Sequence, residues 1–104
     1  MTVTVEQDHA RRDVTVVNPW GMHARTAMRF VQTSLPFHAE VTVACDGSEP
    51  VDGKEVMSLL TLGAPCGATL AIAAVGDDAH EAVETLCRLV EEGFGEGRSP
   101  EDTC

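Results

Sequence analysis

A chain of 104 residues has room for one hydrophobic core and not for a second, so any function rests on a single small domain. With 17 acidic residues against 7 Lys and Arg, its formal net charge of -10 excludes nucleic acid or an anionic membrane surface as a general partner. Trp20, Phe30, Phe37 and Phe94 are its only aromatic residues, so the core must be built from Val, Leu, Ala and Met.

Residues 1–12 read as a polar N-terminal extension, with Glu6, His9, Arg11 and Arg12 where a secreted chain would carry an apolar run. No segment approaches membrane-spanning length, and the expected location is the cytoplasm. Cys45, Cys66, Cys87 and Cys104 are widely separated and form no C-x-x-C pair. They read as reduced thiols rather than a disulfide framework or a zinc site, and neither metal nor cofactor is expected.

Val14 to Val17 is β-branched and leads through the turn-forming Asn18-Pro19-Trp20-Gly21, which predicts a strand and a loop. Ala24, Ala27, Met28, Val31 and Leu35 then recur at helical spacing, and Pro36 stops that helix. Ala39 to Cys45 alternates as a half-buried strand, and Asp46-Gly47 turns it into a short antiparallel return over 48–51. Glu55 to Leu62 predicts a second helix, closed by Gly63 and Pro65. A last strand over 68–75 precedes a helix capped by Asp77 or Asp78, whose stripe runs Ala79, Ala82, Val83, Leu86, Leu89, Val90 and Phe94. The order βαββαβα in residues 13–95 specifies an α+β fold: an antiparallel sheet with helices on one face, in two layers. Residues 96–104 read as a polar tail.

His23 and Arg25 fall in the first turn of the first helix. No Ser, Thr, Asp or Asn directly precedes the run, so its leading N–H groups are expected to be free for an anion. Those groups, the positive end of the helix dipole and the Arg25 guanidinium suit a phosphoryl group held against the imidazole. A neutral imidazole is a competent nucleophile for phosphorus, and its ring nitrogen leaves readily, as a reversible carrier requires. Trp20 and Met22 read as packing residues, Gly21 as a backbone hinge, and His9, His38 and His80 as surface residues.

The run Val17-Asn18-x-x-Gly21-Met22-His23-Ala24-Arg25 resembles the active-site motif of the histidine-containing phosphocarrier family, HPr. Residues 51–63, Val51-Asp52-Gly53-Lys54-Glu55-Val56-Met57-Ser58-Leu59-Leu60-Thr61-Leu62-Gly63, are similar to the family's second signature. Glu81-Ala82-Val83, Leu86 to Leu89 and Phe94-Gly95-Glu96 resemble its last helix, so the likeness spans roughly 13–96. It implies an open-faced β-sandwich of four antiparallel strands and three helices. It further implies that His23 is phosphorylated by enzyme I, with phosphoenolpyruvate as the ultimate donor. His23 then passes the group to an EIIA-type acceptor, with Arg25 and the backbone N–H groups of Ala24 and Arg25 on the phosphoryl oxygens. The chain itself is expected to be a monomer.

The second helix carries too many apolar residues for one buried stripe. Val56, Met57 and Leu60, with Met28 across from them, are therefore the candidate partner-docking surface. Two positions depart from the family pattern. Thr26 stands where many relatives carry proline, which is expected to leave the site less rigid. Glu55 stands where kinase-regulated relatives carry the phosphorylated serine and cannot itself be phosphorylated. Both a sugar-transport role and the nitrogen-related regulatory branch fit this sequence. The alternative from a different class is a binding module that has kept the fold without passing phosphate.

Overall fold

The computed structural model describes residues 8–96. Strand β1 spans His9–Thr15, helix α1 Ala24–Ser34, β2 Glu40–Cys45, β3 Val51–Asp52, α2 Val56–Leu60, β4 Thr69–Val75 and α3 Ala79–Glu91. The four strands form one antiparallel sheet in the order β1-β4-β2-β3. The two-layer βαββαβα arrangement is the one specified by the hydrophobic pattern.

Alternation in β4 explains the single covered face. Leu70, Ile72 and Ala74 are buried beneath the helices while Thr69, Ala71, Ala73 and Val75 face the open side. Val41, Val43 and Cys45 of β2 point the same way as the buried β4 residues, and Phe30, Leu59, Leu86, Val90 and Phe94 close the core from the helical layer. Gly53 and Gly76 pack their backbones directly onto Val41 and Ala39.

Several boundaries differ from the sequence reading. β1 begins at His9, inside the stretch assigned to a polar extension, because residues 9–13 pair with 71–75 of β4. As an edge strand with mostly exposed side chains it needs little apolar character, so periodicity does not reveal it. Its continuation, Val16 and Val17, lies beyond the strand, with Val16 tied to Ala68 and Gly67 by backbone bonds. β3 is reduced to Val51–Asp52 because Pro50, which has no N–H, precedes it. Asp46 and Gly47 both take positive φ, closing the turn with the Ser48 N–H on the Cys45 carbonyl at 2.9 Å.

Asp78 does occupy the N-cap of α3, but its carboxylate does not bond that helix. It accepts the N–H groups of His38 and Ala39 at 2.8 Å each, clamping the α1–β2 loop to the helix. Phe94 lies past the end of α3 yet remains fully buried. His9, His38 and His80 are exposed. Cys45 and Cys87 are free and buried, and burial pushes the Cys87 thiol up to about 11. Cys66 is disulfide-bonded, against the expectation of a reduced thiol at this position. Among the described residues no helix is long and apolar enough to cross a membrane.

Candidate functional site

The site is made by the loop from Asn18 to Met22, the first turn of α1 and a residue from the far end of the chain. Asn18 is fully buried and folds the loop on itself. Its Nδ2 donates to the Gly21 carbonyl at 2.9 Å, and the Gly21 N–H returns to the Asn18 carbonyl at 3.1 Å. Gly21 has φ +65, and a Cβ there would lie 2.3 Å from the Ala64 carbonyl oxygen, so its freedom and its lack of a side chain are both used. The Met22 N–H bonds that same carbonyl at 2.8 Å, seating the loop against the segment that follows α2. Met22 is buried, as a packing residue should be. Trp20 is not: it is 80% exposed, because the loop turns outward between Asn18 and Gly21.

The helix start is capped, contrary to the expectation drawn from the missing Ser, Thr, Asp or Asn. His23 itself is the N-cap, with extended backbone, and its Nδ1 accepts the Arg25 N–H at 3.2 Å. Thr26 closes the reciprocal half of a capping box, its Oγ1 accepting the His23 N–H at 2.9 Å. The same hydroxyl lies 3.1 Å from the Gly21 carbonyl, so Thr26 braces the loop as well as the helix. The residue expected to loosen the site is thus fully buried and ties its two halves together.

His23 has a side chain 32% exposed, accessible on one side and held on the other, while the Arg25 side chain is 75% exposed. On the held side stands Glu96, which the sequence reading placed in the tail. Its carboxylate lies 3.2 Å from His23 Nε2, 3.6 Å from an Arg25 guanidinium nitrogen and 3.1 Å from Asn18 Nδ2, which donates to it. Burial alone would raise the Glu96 carboxyl pKa. The hydrogen bonds from His23 and Asn18, with the charges of His23 and Arg25, outweigh that effect and hold it below the usual range.

Glu96 reaches the site through a run of left-handed residues, Gly93 (φ 70), Phe94 (φ 57) and Gly95 (φ 84). The run reverses the chain after α3 while Phe94 anchors it in the core. A Cβ on Gly95 would meet an Arg29 guanidinium nitrogen at 2.5 Å, so Arg29 lies over this turn. No local spacing could reveal a partner 73 residues from His23. The Gly-Phe-Gly sequence is its one visible mark.

Of the candidate docking residues, Met57 (69% exposed) and Met28 (51%) stand free, whereas Val56 and Leu60 are partly buried against the core. Leu59 alone fills the buried face of α2, which is why so short a helix leaves other apolar side chains outward. Glu55 is the N-cap of α2. Its carboxylate accepts the Ser58 hydroxyl at 2.9 Å and makes no cap bond to the helix backbone.

The site is an imidazole at the rim of a helix N-terminus with an arginine beside it, carried on an open-faced sandwich. Residues 10–92 match the family model described as PTS HPr component phosphorylation site. The chain is 34% identical over 87 residues to the phosphocarrier protein HPr of Cupriavidus necator, covering 84% of this chain and 97% of that protein. It is 36% identical over the same shares to that of Neisseria meningitidis serogroup A. Among solved structures, HPr-C-His from Thermoanaerobacter tengcongensis superposes with a TM-score of 0.78 at 34% identity, covering 84% of this chain and 97% of that one. A domain-swapped dimer of the Bacillus subtilis catabolite repression protein Crh matches with a TM-score of 0.65 at 33% identity, covering 86% and 97%. The chain belongs to the HPr family, the phosphocarriers of the phosphotransferase system.

Proposed function

We propose that His23 accepts a phosphoryl group in the cytoplasm from phosphorylated enzyme I and delivers it to an EIIA-type protein. The observation that carries this reading is the placement of the His23 ring at the mouth of α1, exposed on one side, with the Arg25 amide on Nδ1. In the transfer, the Nδ1 lone pair forms the new N–P bond as the donor's bond to phosphorus breaks, its electron pair returning to the donor. The Arg25 N–H, released from Nδ1 as that lone pair attacks phosphorus, and the N–H of Ala24 then serve the phosphoryl oxygens. The solvent-exposed Arg25 guanidinium neutralises their charge in the transition state and in the product.

Met28 and Met57 supply the exposed apolar surface for both partners, flanked by the half-buried Val56 and Leu60. A carboxylate at Glu55 leaves no hydroxyl for a serine kinase, so regulation by phosphorylation at that position is absent.

Incubation with enzyme I and phosphoenolpyruvate tests the proposal. The chain should gain one acid-labile phosphoryl group, and His23→Ala should gain none. Failure of the unmodified chain to be phosphorylated would leave a binding module on the same fold. Acceptance of the group by a sugar-specific or a regulatory EIIA protein separates the transport branch from the nitrogen-related one.

A further inference from the structure

Both ring nitrogens of His23 have a partner, and the two partners make the same demand. Arg25 offers an N–H to Nδ1 at 3.2 Å, which only a nitrogen bearing a lone pair can accept. Glu96 offers a carboxylate to Nε2, with both oxygens at 3.2 Å, and only an N–H can donate to it. The opposite tautomer would set N–H against N–H at one end of the ring and a lone pair against a carboxylate at the other. We propose that Glu96 is a positioning residue for phosphoryl transfer, fixing His23 in the tautomer whose Nδ1 is the nucleophile, with Asn18 fixing Glu96 in turn. This rests on His23 being the phosphorylated residue, as argued above.

The carboxylate is itself well determined. Asn18 Nδ2 bridges it to the Gly21 carbonyl from a fully buried position. Because both of those acceptors need the NH₂ group, the amide has one satisfactory orientation, which leaves its buried Oδ1 without a partner among the described residues. The left-handed Gly93-Phe94-Gly95 turn, pinned by buried Phe94, leaves Glu96 little freedom to swing out. Glu96 remains ionised at neutral pH, since its bonds to His23 and Asn18 prevail over burial.

The charges balance through the step. When Nδ1 attacks, the proton stays on Nε2 and the ring takes up the positive charge given by the new N–P bond. That charge faces the Glu96 carboxylate, which stabilises it without taking the proton, as an acidic residue does behind a catalytic histidine. Arg25, 3.6 Å from the same carboxylate, exchanges it for the phosphoryl oxygens, so Glu96 keeps the guanidinium near the site until the donor arrives. When the group is passed on, the electron pair of the N–P bond returns to Nδ1 and the ring is again neutral.

Two measurements on the same proteins decide the matter: ¹⁵N chemical shifts of the His23 ring in the unphosphorylated chain at alkaline pH, and the initial rate of phosphoryl uptake from enzyme I. In the unmodified chain Nε2 should carry the proton and Nδ1 should show the shift of an unprotonated ring nitrogen. Glu96→Ala should bring in the other tautomer and slow uptake by about tenfold or more. Glu96→Gln retains an acceptor for the Nε2 proton but no charge, so it should preserve the tautomer and restore only part of the rate. A proton on Nδ1 in the unmodified chain overturns the inference without any variant. So does a Glu96→Ala protein in which only one of the two readouts moves, because altered packing alone would slow uptake with unchanged ring shifts. If the unmodified chain takes up no phosphoryl group at all, the carrier function fails, while the ring shifts still report whether Glu96 selects the tautomer.

Discussion

At the scale of single residues, the site distributes its work between a fixed part and a free part. Asn18, Thr26 and Glu96 hold the His23 ring and its backbone, whereas Arg25 extends into solvent with one long contact to Glu96. An arginine so placed contributes through charge and fork geometry, and lysine retains only the charge. Arg25→Lys should therefore fold normally and take up the phosphoryl group about ten- to a hundredfold more slowly. That is the order expected when a charge-assisted hydrogen bond of roughly 1.5–3 kcal/mol is lost. Stopped-flow or quench measurement of phosphoryl uptake checks the rate, and urea unfolding checks that stability is unchanged. The sequence displayed His23 and Arg25 openly because they are neighbours at the start of a periodic helix. It did not display Thr26 as a brace, since a threonine hydroxyl takes its meaning from whichever carbonyl the loop brings near it.

At the scale of elements, the glycines on either side of the site make different demands. Gly21 and Gly95 both have positive φ, which costs an L-residue roughly 1–2 kcal/mol. At Gly21 an added Cβ meets the Ala64 carbonyl and the Pro65 backbone, which cannot move without shifting the loop after α2. Gly21→Ala should destabilise the protein by more than about 2 kcal/mol. At Gly95 the obstacle is the end of the Arg29 side chain, which can swing away. Gly95→Ala should cost only the backbone term, about 1–2 kcal/mol, while disturbing Glu96 and slowing phosphoryl uptake. Paired urea-melt midpoints read the contrast: equal losses would mean that the close approach at Gly21 is unimportant. The element pattern itself was legible. α1, β2, β4 and α3 announced themselves through period and breakers, whereas β1 hid its first half because a polar edge strand has no apolar face to show.

For the whole molecule, acidity and stability are linked through two carboxylates whose bonds cross between distant segments. Asp78 joins the α1–β2 loop to α3, and Glu96 joins the segment after α3 to the His23 loop. The backbone N–H of His38 leads the effects that hold Asp78 below its ordinary value, and hydrogen bonding from His23 and Asn18 does the same for Glu96 against the opposing effect of burial. A carboxyl depressed on folding stabilises the protein above its unfolded pKa, and that contribution is lost as pH falls through the folded one. Stability should therefore be level near neutrality and decline once pH drops below the ordinary carboxylate range, about 4. Asp78→Asn should lower stability near neutrality and flatten that acid limb. Thermal melts across pH 7 to 3 give the test, and an acid limb of unchanged slope in Asp78→Asn would show that this clamp is not its source.

Local periodicity and turn chemistry were enough to determine the layers and the strand and helix order, because each depends on interactions a few residues long, and they put His23 and Arg25 forward as the candidate site. The tertiary structure alone decided that His23 caps its own helix, that Trp20 faces solvent, and that Glu96 closes the site. Those outcomes depend on where α3 ends and how a left-handed Gly-Phe-Gly turn redirects the chain, and a hydrogen bond spanning 73 residues leaves no period in the sequence.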